Sequence, residues 1–348
     1  MKEQVLGMVL VCASTGQRRE RMMVWLGVKF LPFPTLEQKS QATGDHDLAF
    51  KPMLMLRFIG LLFLVGCSSS MVTRDAKPPQ PRACAIFDGQ SGESLTWSTL
   101  MEKVQQSDAV MLGERHDDLM GHLVQHAILE DAPISSGLAL EMLERDEQPF
   151  IDDFRDGLID QTTFEQLTKS TNWAGSETWE TFYQPAIDVV LSRGGLVVAA
   201  NAPRRYVRHA RIKGEDNLPT DQPRSLWFDL PSDVDDSLYR KKFFDLMGEN
   251  TDPSIGNQFF LAQRIWDASM GKSLADLRAS GAQPAILLVG GFHVVDQGGT
   301  VLEYNHYRPS DEILIISLVP EQKSILPEEL LGTADIIILT GSHDEVDQ

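Results

Sequence analysis

Cysteine is scarce in this sequence of 348 residues. The only three are Cys12, Cys67 and Cys84, too few and too scattered for a disulfide framework. Positive charge is short as well: 31 Lys and Arg stand against 50 Asp and Glu, a formal net charge of -19. The first 66 residues hold eight Lys/Arg and five Asp/Glu, so the rest holds 23 and 45, or -22. Such a surface repels nucleic acid, which excludes it as a partner. Apolar runs are short; that over 59–66 falls well below the roughly 20 residues that cross a bilayer. Tyrosine is rare too, with five: Tyr183, Tyr206, Tyr239, Tyr304 and Tyr307. No internal repeat is visible. A hydrophobic content of 42% is ample for a core and excludes a disordered chain.

Residues 53–66 combine a short basic start with an apolar run, and Cys67-Ser68-Ser69-Ser70 follows. This is the pattern of a lipoprotein signal peptide, with Leu64-Val65-Gly66-Cys67 as the lipobox at which the cysteine is acylated and the chain cut. The expectation is a lipid anchor on Cys67 that holds the protein on a membrane surface in the cell envelope. By resemblance to Gram-negative lipoprotein sorting rules, Ser68 rather than Asp after the cysteine implies the outer membrane. Residues 1–52 then read as a mis-called upstream start, with Met53 or Met55 as the first residue. Residues 67–82, rich in Ser, Lys, Pro and Gln, read as a flexible tether. One folded domain is expected over 83–340, and an acidic tail over 341–348.

Short apolar runs at 109–112, 137–140, 196–200, 285–289, 313–318 and 336–339 predict buried strands. Longer amphipathic stretches at 117–130, 147–154, 163–167, 177–193, 203–213 and 237–280 predict helices between them. The alternation predicts an α/β fold, a mainly parallel central sheet with helices on both faces, plus a helical subdomain.

Polar groups follow four of these strands: Glu114 and His116 after the first, Glu141 after the second, Asn201 after the third, and His293 beyond Gly290-Gly291 after the fourth. Ligands bind at that edge of a parallel sheet, so the set predicts one pocket. Each residue taken singly has a structural reading: Asn201 as a cap of the helix after Pro203, Asp117 as a cap of the helix after it. His122 and His126 lie one helical turn apart, which can ligate a metal but more often marks core or solvent-facing histidines. Phe259, Phe260 and Trp266 sit at helical spacing and read as core rather than interface.

Gly113-Glu114-Arg115-His116-Asp117, the strand ending in Glu141, Trp179-Glu180-Thr181-Phe182-Tyr183, Asn201-Ala202-Pro203-Arg204-Arg205-Tyr206-Val207 and Gly290-Gly291-Phe292-His293 together resemble the ChaN-like family of haem-binding lipoproteins. That family is related to the wider Tiki and erythromycin-esterase-like superfamily. The resemblance implies a homodimer holding two stacked haems, iron bound by a tyrosine, a partner-chain histidine near a propionate, and a transporter that receives the haem in iron uptake.

Tyr206 is the expected ligand of ferric iron, with Tyr183 as the second candidate. A phenolate suits ferric iron, but an ordinary tyrosine has a pKa of about 10 and needs positive neighbours to ionise. Arg204, Arg205, Arg208, His209, Arg211 and Lys213 crowd around Tyr206 and also supply guanidinium groups for the propionates. The same stretch can be read as the solvated basic face of an amphipathic helix, and Tyr183 as an aromatic core residue. Asn201, His116 and His293 complete the expected haem surroundings. The alternative is a metal-dependent or general-base hydrolase using Glu114, His116, Glu141 and His293, and a third reading is an adaptor without chemistry.

Overall fold

The computed structural model describes residues 80–169, 173, 178–248 and 250–341. The signal peptide, Cys67, nearly all of the tether and the acidic tail lie outside the described residues. The body from Gln80 onward packs as one compact unit. It begins slightly before the expected boundary: Pro81–Ala83 forms a 3-10 turn, and Arg82 pairs with Asp131 and Glu130, both at 2.8 Å.

The described strands are β1 (Ala85–Asp88), β2 (Ser94–Leu95), β3 (Ala109–Glu114), β4 (Gly137–Glu144), β5 (Val197–Asn201), β6 (Ala285–Gly290), β7 (Ile313–Val319) and β8 (Ile336–Leu339). They form one sheet in the order β2-β1-β8-β7-β3-β6-β4-β5. From β8 to β5 every pairing is parallel, whereas β1 runs antiparallel to both its neighbours. Every residue of β3 and β6 is buried, which is why both read as unbroken apolar runs rather than alternating ones.

Among the described residues ten α-helices accompany the strands: α1 (Trp97–Gln106), α2 (Leu119–Asp131), α3 (Gln148–Arg155), α4 (Gln161–Thr168), α5 (Trp179–Phe182), α6 (Gln184–Ser192), α7 (Arg204–Lys213), α8 (Ser237–Met247), α9 (Pro253–Ala279) and α10 (Gly299–Tyr307). Val110, Leu112, Leu140 and Leu288 meet Leu100, Val124 and Ile187 of α1, α2 and α6 on one face. Met111, Leu287 and Val289 meet Met270, Leu274 and Val301 of α9 and α10 on the other. The sheet is thus covered on both faces, as expected.

The local differences have local causes. The helix expected over 177–193 is two, because Pro185 opens α6 and has no N–H to continue from α5. The region 237–280 is likewise two helices. Asp252 ends the gap between them by accepting from the N–H groups of Ser254 and Ile255 at the start of α9. Phe243 of α8 packs on Phe260 of α9, a small aromatic cluster beside the sheet. Phe260 is core and Phe259 is half-buried beside it, whereas Trp266 is half-buried against the separate clusters that hold Met270 and Val207.

Candidate functional site

Insertion of β6 between β3 and β4 brings the expected strand ends together. Glu114, the last residue of β3, lies in register with Gly290 of β6, and Glu141 of β4 accepts the Gly290 N–H at 2.6 Å. Asn201 at the end of β5 donates to the Glu141 carbonyl at 3.0 Å and accepts from the Ala202 N–H at 2.9 Å. It therefore braces the strand end and does not cap α7, whose cap position is Pro203. Asp117 pairs with Arg115 at 2.5 Å, and Asp118 takes the cap position of α2.

Glu114 is buried and fully engaged. Its carboxylate accepts from the Tyr183 hydroxyl at 2.7 Å, the Gln125 amide at 2.6 Å and His116 Nδ1 at 2.8 Å. Burial would push this carboxyl up; the fields and hydrogen bonds of His122, His116 and Gln125 outweigh it and hold it at about 2. Burial pulls the other way on His116, and the Glu114 partner prevails, raising the imidazole to about 9. His122 is buried between Gln125, the His116 carbonyl and the Phe182 ring. His126 keeps 29% exposure near Glu130, so the two histidines do not converge on one ion.

A second imidazole is arranged the same way. His293 Nδ1 lies 2.7 Å from Asp267 of α9, and its Nε2 lies 3.6 Å from Glu141. Burial disfavours its charged form, but Asp267 and Glu141 lift His293 above the ordinary range. A carboxylate only accepts, so Nδ1 of each ring carries a proton, and the Gln263 amide nitrogen lies 3.4 Å from His293 Nε2. His116 Nε2 would lie 3.1 Å from a Cβ at Gly290, and a Glu141 oxygen 3.5 Å from it. Two oriented imidazoles thus flank Glu141, an arrangement suited to moving protons. Among the described residues no group of three or more His, Cys, Asp or Glu side chains could hold a metal ion.

Tyr206 sits apart from this cluster, in the first turns of α7. Its ring packs against Phe228 at 5.4 Å and Trp227 at 6.1 Å, and the Arg205 guanidinium stands over it at 4.5 Å. Arg204 lies over the Trp173 ring at 4.6 Å, and Trp173 meets His116 edge-on at 5.7 Å, so the basic helix and the Glu/His cleft share a rim. Arg208 and His209 are exposed on α7, and Arg211 covers Phe259 at 4.4 Å. Arg204 and Arg205 also meet acid: Glu144 lies 3.8 and 3.9 Å from them, and Asp146 2.6 Å from Arg205.

Burial separates the tyrosines. Tyr183, Tyr239 and Tyr304 are enclosed, and burial followed by carboxylate neighbours pushes Tyr183 and Tyr239 well above the ordinary value. Tyr206 and Tyr307 keep partial exposure. Tyr183 therefore stands in the aromatic core beside Trp179 as a hydrogen-bond donor, which does not suit a phenolate ligand. The sequence reading missed Asp267, Gln125, Trp227 and Phe228. Asp267 lies in the middle of a long helix, where nothing local marks it.

Residues 100–303 match the family model described as haem-binding uptake, Tiki superfamily, ChaN. Among solved structures, cofacial haem binding to ChaN of Campylobacter jejuni is similar at 18% identity, covering 74% of this chain and 96% of that one with a TM-score of 0.55. The type III effector HopBA1 is similar at 14% identity, over 77% of this chain and all of that one, with a TM-score of 0.40. An erythromycin esterase mutant in its open conformation shares 12% identity, over 73% and 82%, with a TM-score of 0.39. No curated protein matches the sequence.

Proposed function

The chain belongs to the haem-binding uptake family of the Tiki superfamily, ChaN, and from that premise we propose that it binds ferric haem through Tyr206 for iron uptake. The observation that carries this reading is the setting of Tyr206. It is a half-buried phenol on a basic helix, between the aromatic wall of Trp227 and Phe228 and the Arg205 guanidinium. These residues fit haem: the rings offer flat apolar contact, and Arg204, Arg205, Arg208 and His209 offer partners for propionates on an otherwise acidic protein. Ferric iron in the porphyrin would supply the charge that a phenolate oxygen prefers. Asn201, His116 and His293 stand behind that rim. They shape the cleft next to it.

The proposal extends to assembly and place. Two copies would stack their haems face to face, as the relative from Campylobacter jejuni is described to bind haem cofacially. The lipobox ending at Cys67 supports a lipid anchor in the cell envelope, on the outer membrane by Ser68, with a haem transporter as the recipient. Haemin titrated into the Cys67→Ser chain, followed by absorption spectroscopy and sizing, tests the reading. It predicts a high-spin ferric spectrum distinct from haemin in buffer, one haem per chain, and a dimer on loading.

A second reading has its own observation, the carboxylate-oriented imidazoles His116 and His293 on either side of Glu141. They would serve an acid–base hydrolase in which His116, kept charged by Glu114 up to about pH 9, donates a proton, and Asp267 orients His293. Turnover of a chromogenic ester that is lost with His293→Ala but kept with Tyr206→Phe would support it.

A further inference from the structure

Glu144 ends β4, the turn after it carries Asp146 and Glu147, and both lie against the first turn of α7. Arg205 donates to Asp146 at 2.6 Å, and Glu144 reaches both Arg204 at 3.8 Å and Arg205 at 3.9 Å. Two carboxylates thus engage two guanidinium groups, with a third, Glu147, beside them in the same turn. The crowding is visible in Glu147, which burial and then Glu144 and Asp146 push up to about 7.

The three acids are not equivalent. Glu144 and Glu147 close the turn on itself, each accepting a backbone N–H of the other in a capping box. Asp146 takes no part in that box. One of its oxygens is held by Arg205, and the other is buried without a hydrogen-bond partner. A buried carboxylate oxygen left unpaired is costly, so the Asp146 position is poorly explained by stability of the turn. Arg204 and Arg205 meanwhile keep side-chain exposures of 62% and 49%, so an incoming carboxylate can reach them.

We infer that Glu144 and Asp146 are built-in competitors for the guanidinium groups that would receive the haem propionates, so that loading exchanges one pair of carboxylates for another. The inference rests on the haem reading above and adds to it a determinant of affinity. The competition bears only on a porphyrin that carries free carboxylates. A ligand without carboxylates cannot drive the exchange, since it offers Arg205 nothing in place of Asp146. Because the arginines are half exposed and screened, the effect of each competitor is modest. Exposed pairs of this kind change an equilibrium by roughly threefold to fivefold.

Haemin and haemin dimethyl ester, which has the same iron and ring but no free carboxylates, are titrated into the Cys67→Ser chain carrying Asp146→Asn or Glu144→Gln. Asp146→Asn is the primary variant, because it leaves the capping box intact, and the unfolding temperature of each variant is recorded alongside. The expected result is haemin binding tightened by roughly threefold to fivefold in either variant, more in the pair together, with the dimethyl ester unchanged. Unchanged or weakened haemin binding in folded Asp146→Asn, or equal tightening of both ligands, overturns the inference. If haemin binds in a Tyr206-dependent way and the variants match the parent, only this inference fails. If the parent binds neither ligand, the haem reading fails with it.

Discussion

The Tyr183 hydroxyl donates to Glu114 across 2.7 Å, between residues 69 positions apart in the chain. This one bond removes Tyr183 from the surface, ties α5 to the end of β3 and leaves Tyr206 as the tyrosine on the basic helix. Both groups are buried, so the bond belongs to the folded core rather than to a ligand.

Tyr183→Phe is expected to destabilise the fold by about 1–3 kcal/mol, because Glu114 loses a donor inside the protein. Urea unfolding measures the loss. The haemin spectrum should be unchanged, since the substitution does not touch α7.

The Glu114–His116 pair makes stability depend on pH in a defined window. Glu114 is held at about 2 against an ordinary 4.5, so its contribution is present above 4.5 and is lost as pH falls toward 2. His116 is raised from 6.5 to about 9, so its contribution is complete below 6.5 and is lost as pH rises through 9. The stability difference between the parent and His116→Asn should therefore be largest between these limits, at about pH 4.5–6.5, and shrink on both sides. A difference that stays constant from pH 6 to pH 10 would contradict the pairing.

Arg264 and Glu303 form an enclosed ion pair at 2.8 Å with side-chain exposures of 4% and 0%, and Asp236 joins from 3.0 Å. Arg264→Leu should cost about 3–5 kcal/mol, because Glu303 loses its buried counter-charge and keeps only the Ser232 N–H. Adding Glu303→Leu should recover part of that loss, which a double-mutant cycle of denaturation free energies would show.

Gly290→Ala places a methyl 3.1 Å from His116 Nε2. The expected outcome is a fold close to the parent in stability with a crowded cleft. Ester turnover, if the hydrolase reading holds, should fall, while haemin binding at α7 should persist. Loss of haemin binding in a folded Gly290→Ala chain would place the porphyrin in the Glu/His cleft instead.

The sheet was legible because its inner strands are buried on both faces and so appear as bare apolar runs, as in 109–112 and 285–289. Strands β1 and β2 and helices α1 and α10 escaped notice: β1 and β2 are four and two residues long, and α10 mixes apolar Val301 and Leu302 with buried Glu303 and Thr300, which blurs its periodicity. The convergence of Glu114, Glu141 and His293 could be anticipated from their places after strands. The partners that orient them could not. Asp267 meets His293 across 26 residues and Gln125 meets Glu114 across 11, contacts set by helix packing rather than by any local pattern. Tyr206 stood out through rarity and its arginines, whereas the acids that hold those arginines sit on another strand's turn.

Absorption spectra of haemin added to the parent, Tyr183→Phe and Tyr206→Phe chains, all carrying Cys67→Ser, test the central claim most directly. A tyrosinate-type ferric spectrum in the parent and in Tyr183→Phe, lost in Tyr206→Phe, is the expected result. An unchanged spectrum in folded Tyr206→Phe would contradict it.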